Sequence, residues 1–190
     1  MKKRTSFLIY YIYHSCLMIL KFLDIKDPIL RQKAKKVESI DKKILGLIAD
    51  MKETLSEADD PEGIGLAAPQ VGKSIQLFIV NFEKLNRVII NPKVLSMGEI
   101  KKTKKKEKTL EGCLSLPHYY GPIKRPNEVT IEYINENKET RQEKFKGFPA
   151  HIIQHEIDHL NGRLFIDHIL EQNAPLYLFD GDDFEEVELT

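Results

Sequence analysis

Residues 149–162, PAHIIQHEIDHLNG, carry the reading on which the fold of this chain turns. Proline suits the first turn of a helix and glycine its end, so Pro149 and Gly162 bracket a helical segment. Within it His155 and His159 stand four apart, on one face, and can grip a single metal ion together. Glu156, next to the first histidine, can reach a water held on that ion and shuttle its proton. Ile152 shares that face, while Ile153, Ile157 and Leu160 point to another. The H-E-x-x-H pattern says metal-assisted hydrolysis. It leaves the scissile bond open, because that depends on a third ligand elsewhere.

Upstream the hydrophobic period is two. IQLFIV (Ile75 to Val80), RVIIN (Arg87 to Asn91) and VTIEYI (Val129 to Ile134) are β-branched or alternating runs bounded by turn residues. Asn135-Glu136-Asn137 reads as a hairpin turn into a partner strand near Gln142 to Lys146. Further upstream, Ile40, Ile44, Leu47, Ile48, Met51 and Leu55 recur at spacings of three and four, an amphipathic helix closed by Asp59, Asp60, Pro61 and Gly63. DPILRQKAKKV (Asp27 to Val37) reads as a surface strap with a short helical turn. These elements predict an α+β fold, a single domain of antiparallel strands packed around a central metal-binding helix.

With 190 residues the chain is long enough to bury about two-thirds of its extended surface in one core. Its 29 basic and 29 acidic residues cancel, so no bulk field argues for DNA or a membrane surface. Six lysines fall within Lys101 to Lys108 and six carboxylates within Asp180 to Glu188; both runs read as solvated loop or tail. Two cysteines, Cys16 and Cys113, make no disulfide framework and fit a reducing cytoplasm. Lys2, Lys3 and Arg4 before the apolar run Phe7 to Leu20 resemble the start of a signal peptide. That run is short for a bilayer, His14 interrupts it, and no small-residue cleavage site follows. Met18 offers an alternative start. Residues 1–18 are therefore expected to be an apolar extension or to precede the true start at Met18, with 19–170 the catalytic domain and 171–190 an acidic tail.

A catalytic site of this kind needs a third protein ligand. In HEIDHLNGRLF a third histidine of the metzincin type would fall on Phe165, which cannot ligate. A downstream glutamate would have to be Glu171 or lie in the acidic end. Cys113, in LEGCLSLP, remains. A free cysteine is most often a small buried hydrophobe, but Gly112 permits close backbone approach and Pro117 ends the strand just after it. A third signal is GIGLAAPQVG, Gly63 to Gly72, whose glycines permit close approach to a ligand and whose one polar side chain is Gln70. By itself that run reads equally well as a turn into the next strand.

In this order and spacing, GIGLAAPQ, EGCLSLP and QHEIDHLNG resemble the three signature motifs of the peptide deformylase family. The resemblance runs from about Ile19 to Ile169 and takes in DPILR and GRLFIDH; proline rather than aspartate after EGCLS is similar to the bacterial-type class. It implies a hydrolase that removes the formyl group from the N-terminal formylmethionine of new polypeptides. Carried over by motif, Cys113, His155 and His159 hold the metal and Glu156 is the general acid and base. Gln70 and the Leu114 N–H form the oxyanion hole. The family's metal is ferrous iron, with zinc, nickel or cobalt as substitutes.

Substrate backbone is then expected to add as a strand against Ile64 and Gly65 on one side and Gly112 on the other. The methionine side chain would enter a pocket near Gly63, Ile64, Leu114 and Ile152. His151 departs from the arginine or aliphatic residue usual in the family and reads as a histidine on the pocket rim. The expected partners are N-formylmethionyl nascent peptides and, transiently, the ribosome; DNA and a stable membrane partner are not expected. Some relatives use a C-terminal helix for ribosome docking, and Pro175 and the carboxylates here argue against one. His14, His118 and His168 read as surface or core fillers, and Asp158 as support for the ligand helix. Two rivals remain: a zincin protease, opposed by Phe165, and a silent deformylase-like module on the ribosome, opposed by the intact residue set.

Overall fold

The computed structural model describes residues 17–59, 62–100 and 110–188. Cys16, His14 and the lysine run therefore lie outside the described residues, as does most of the N-terminal extension. Two antiparallel sheets meet at one helix. The first has the order β1 (Gly65–Ala67), β2 (Leu77–Phe82), β3 (Leu85–Met97), β6 (Glu128–Ile134), β7 (Thr140–Lys146). The second runs β4 (Glu111–Cys113), β5 (Leu116–Gly121), β8 (Leu176–Phe179), β9 (Phe184–Val187). Strands β1 and β4 each end a sheet, so each presents one edge with no strand beside it among the described residues.

Helix α1 spans Lys42–Ser56 and starts where Asp41 accepts the Lys43 and Ile44 N–H groups at 2.9 and 3.0 Å. Helix α2, Phe148–Leu160, carries the H-E-x-x-H pattern, with proline in its first turn as the sequence predicts. Helix α3 spans Phe165–Gln172. The first sheet is covered on both faces, which explains why β2 reads as a continuous apolar run rather than an alternating one. Phe78 and Val80 pack toward Ile152, Ile153, Ile157 and Leu160 of α2. Leu77 and Ile79 pack toward Ile48, Met51 and Leu55 of α1. No helix among the described residues is long and apolar enough to cross a membrane.

Strand β3 is longer than RVIIN predicts because it survives Pro92 by bulging. Its register to β6 shifts between Ile90 and Lys93, where a proline could not donate to the ladder. Asn91 takes a positive φ of 52° at that point. Its side chain then bridges the Val37 N–H and carbonyl, both at 2.8 Å, and ties down the strap. In the β6–β7 hairpin, Asn135 Oδ1 accepts the Asn137 and Glu139 N–H groups, as the turn reading expects.

The end of the chain differs from the expected tail. Its carboxylates are exposed, but the backbone forms the β8–β9 hairpin, and Tyr119 and Tyr120 of β5 pair with Leu178 and Tyr177. Leu176 and the aromatic residues supply the apolar anchor that the charge count concealed. Phe165, which sequence alone excluded as a ligand, is a core residue beside Cys113, Ile169 and Leu176.

Candidate metal centre and active site

Helix α2 packs on β1, β2, β6 and β7 of the first sheet, and its histidine face meets Cys113 of β4. His159 Nε2 lies 3.3 Å from Cys113 Sγ and 3.2 Å from His155 Nε2. All three groups are buried and their ligand atoms lie within 4.8 Å of one another. Bonds of about 2.0–2.3 Å to one ion at tetrahedral angles put neighbouring donors about 3.5 Å apart. The donor set therefore fits a metal with one position open. Burial by itself raises the Cys113 thiol, but the facing imidazoles of His159 and His155 carry it down to about 5. A thiolate is the form that ligates.

Glu111, on the same face of β4 as Cys113, was missed by the sequence reading. It accepts from His155 Nδ1 at 2.6 Å, which turns the other ring nitrogen toward the cluster. Arg125 grips the same carboxylate in a two-pronged pair at 2.7 and 2.8 Å and reaches Asp158 at 2.7 Å. Burial opposes the Glu111 charge, yet His155, Arg125 and His151 hold its pKa well below the usual carboxylate range. The period-two spacing of Glu111 and Cys113 could have exposed Glu111. Arg125, in a loop twelve residues past the cysteine, gave no local signal.

Asp158 joins Arg125 to His168 Nε2 at 2.7 Å. His168 is thus part of the buttress and not the filler it was read as. His118 is exposed on β5. His151 lines the cavity rim as read, and its Nε2 contacts Glu111.

Glu156 is fully buried, and its Oε2 has no hydrogen-bond partner among the described residues. Burial lifts its carboxyl to about 7, the range where a group both takes and returns a proton near neutrality. Gln70 sits in the 3₁₀ turn Ala68–Val71. Its Oε1 accepts the Ala67 N–H at 2.9 Å, which aims Nε2 at the cluster, 3.5 Å from Cys113 Sγ and from Ser115 Oγ.

These groups open into a cavity of about 330 Å³. Of the expected substrate residues, Ile64, Gly65, Gly112, Leu114, His151 and Ile152 line it, joined by Phe82, Phe148 and Tyr120. Gly63 does not. A Cβ there would lie 2.4 Å from the Leu55 carbonyl, so its bareness serves packing on α1. At Gly65 a Cβ would fall 2.4 Å from Glu156 Oε1, and at Gly112 one would fall 2.6 Å from Tyr120 Cε1.

The sequence model of the polypeptide deformylase family matches residues 19–174. The chain belongs to the polypeptide deformylase family. A peptide deformylase of Pseudothermotoga lettingae is 44% identical over 150 residues, 79% of this chain and 82% of that protein. Among solved structures, one from Synechococcus elongatus in complex with actinonin is 41% identical, with a TM-score of 0.72 over 81% of this chain and 82% of that one. A second, of Acinetobacter baumannii with Met-Ala-Ser bound, is 32% identical, with a TM-score of 0.70 over 80% of this chain and 99% of that one. This polypeptide deformylase is accordingly a metal-dependent hydrolase of N-formylmethionyl peptides, releasing formate. The zincin reading falls away.

Proposed function

We propose that residues 19–170 form the catalytic unit and that each site residue has one role. Cys113, His155 and His159 hold a single ferrous ion, for which zinc, nickel or cobalt can substitute. Bound there, the metal supplies a Lewis acid and acidifies a coordinated water. Glu156 takes the proton of the attacking water as oxygen adds to the formyl carbon. The developing oxyanion is met by Gln70 Nε2 and the Leu114 N–H, donors typically worth about 3 kcal/mol each. Glu156 then passes the proton to the departing amine, and the C–N bond breaks to give formate and a free N-terminus. The convergence of three donors beside a buried carboxylate, whose Oε2 has no partner among the described residues, carries this assignment.

The substrate enters as an added strand. Among the described residues both β1 and β4 offer an unpaired edge, and Ile64, Gly65 and Gly112 line the cavity beside them. Phe148, Ile152, Ile64 and Leu114 give the methionine an apolar pocket rimmed by His151. The working compartment is the cytoplasm, where a reduced Cys113 remains a ligand, and the nascent chain is met during transient association with the ribosome. Anaerobically purified, iron-loaded protein should release formate from formyl-Met-Ala-Ser without cutting internal peptide bonds. Internal cleavage would restore the protease reading, and neither product would leave a silent module.

A further inference from the structure

The β8–β9 hairpin lies past residue 174, where the family match ends, and it backs Tyr120 of β5, whose side chain lines the cavity. Tyr120 lines that cavity and stands opposite Gly112 in the β4–β5 register. Side chains of directly paired residues project to the same face of a sheet. Gly112 has none, and the Tyr120 ring leans into the place its Cβ would occupy, with Cε1 2.6 Å from that point. An aromatic ring lying over a bare edge glycine can touch the residue on whatever strand pairs next. Behind Tyr120 stand Phe179 and Phe184, edge-on at centroid distances of 6.4 and 5.6 Å, themselves 4.9 Å apart. Phe184 is 49% exposed, so its ring adds little to the core that Leu176 already anchors.

We propose that this hairpin positions Tyr120 as a specificity wall, contacting the side chain of the substrate residue that pairs with Gly112. The inference rests on the strand-addition reading above. A ring face with aromatic backing favours an apolar or aromatic side chain there over alanine. The residue in question follows the formylmethionine, whose own side chain has its pocket on the α2 side. Phe179 and Phe184 act only by holding the tyrosine ring.

Two peptide series test it, formyl-Met-X-Ser and formyl-Met-Ala-X, with X as Ala, Leu or Phe. The wild type should prefer Leu and Phe at one of the two positions by about 3- to 10-fold in kcat/KM, the range one aromatic contact supports. The difference should lie in KM. Tyr120→Ala and Phe184→Ala should each flatten the preference, with kcat on formyl-Met-Ala-Ser kept in Phe184→Ala, and Tyr120→Phe should retain it. Equal losses on every peptide, or a preference that survives both alanine variants, overturn the wall. Formate release with no dependence on X overturns this inference alone, whereas no formate from any peptide overturns the assignment beneath it. Should Phe184→Ala fail to fold, the comparison of Tyr120→Ala with Tyr120→Phe decides alone.

Discussion

Glu111 and Glu156 both line the cavity beside Cys113 and His155, and the protein treats their charges oppositely. Glu111 is surrounded by Arg125, His155 and His151 and stays ionised although buried. Replacing it by glutamine removes the acceptor that orients His155 and leaves the Arg125 guanidinium half-paired in the interior. Glu111→Gln should weaken metal binding about 10- to 100-fold, read by competition with a chelator. It should also cost about 3 kcal/mol in urea unfolding of the metal-free protein. Glu156 has the reverse balance: its carboxyl titrates at about 7 in the fold against 4.5 as its ordinary value. A raised carboxyl pKa means the folded state binds the proton more tightly, so ionisation costs stability as pH rises from about 4.5 through 7. Metal-free Glu156→Gln should therefore be about 3 kcal/mol more stable than wild type at pH 8, with little difference at pH 4.5. An equal gain at both pH values would show packing rather than charge at work.

At the scale of elements, the site is an effect of where two edge strands end. Gly65 and Gly63 sit two apart in the run entering β1, and the two bare positions do different things. At Gly65 a Cβ would displace the Glu156 carboxylate, while at Gly63 it would meet the Leu55 backbone, which cannot swing aside. Gly65→Ala should keep its metal and lose about 10²-fold in kcat, since a shift of about 1 Å in a catalytic group costs that much. Gly63→Ala should instead lower the unfolding midpoint, with its residual folded fraction turning over normally. Equal kcat losses in the two variants would contradict this division of labour. In the sequence both glycines read as pocket residues, because glycine alternation alone does not say which neighbour presses on each.

Across the whole molecule, the legible features were those in which a local pattern and a tertiary need coincide. The 3.6-residue period of α2, its proline start and the H-E-x-x-H face all lie within one short segment, so the central helix could be read directly. Cys113 followed because a third ligand was required and Phe165 could not serve. The Arg125 clamp and the β8–β9 hairpin were hidden for the converse reason. Arg125 owes its burial to Glu111 and Asp158, brought together from β4 and α2. The hairpin's apolar residues are spread among carboxylates, so its partner strand β5 decides its conformation. Two sheets converging on one helix then leave a cavity shared by Cys113, His155, Glu156 and Gln70, the residues proposed as ligands, proton carrier and oxyanion donor. In the proposed mechanism Glu156 moves the proton and holds no metal. Glu156→Ala, purified anaerobically and reconstituted with iron, should retain about one metal per chain, as a single open catalytic site requires, and lose nearly all formate release from formyl-Met-Ala-Ser. Full turnover in that metal-loaded variant would contradict the account.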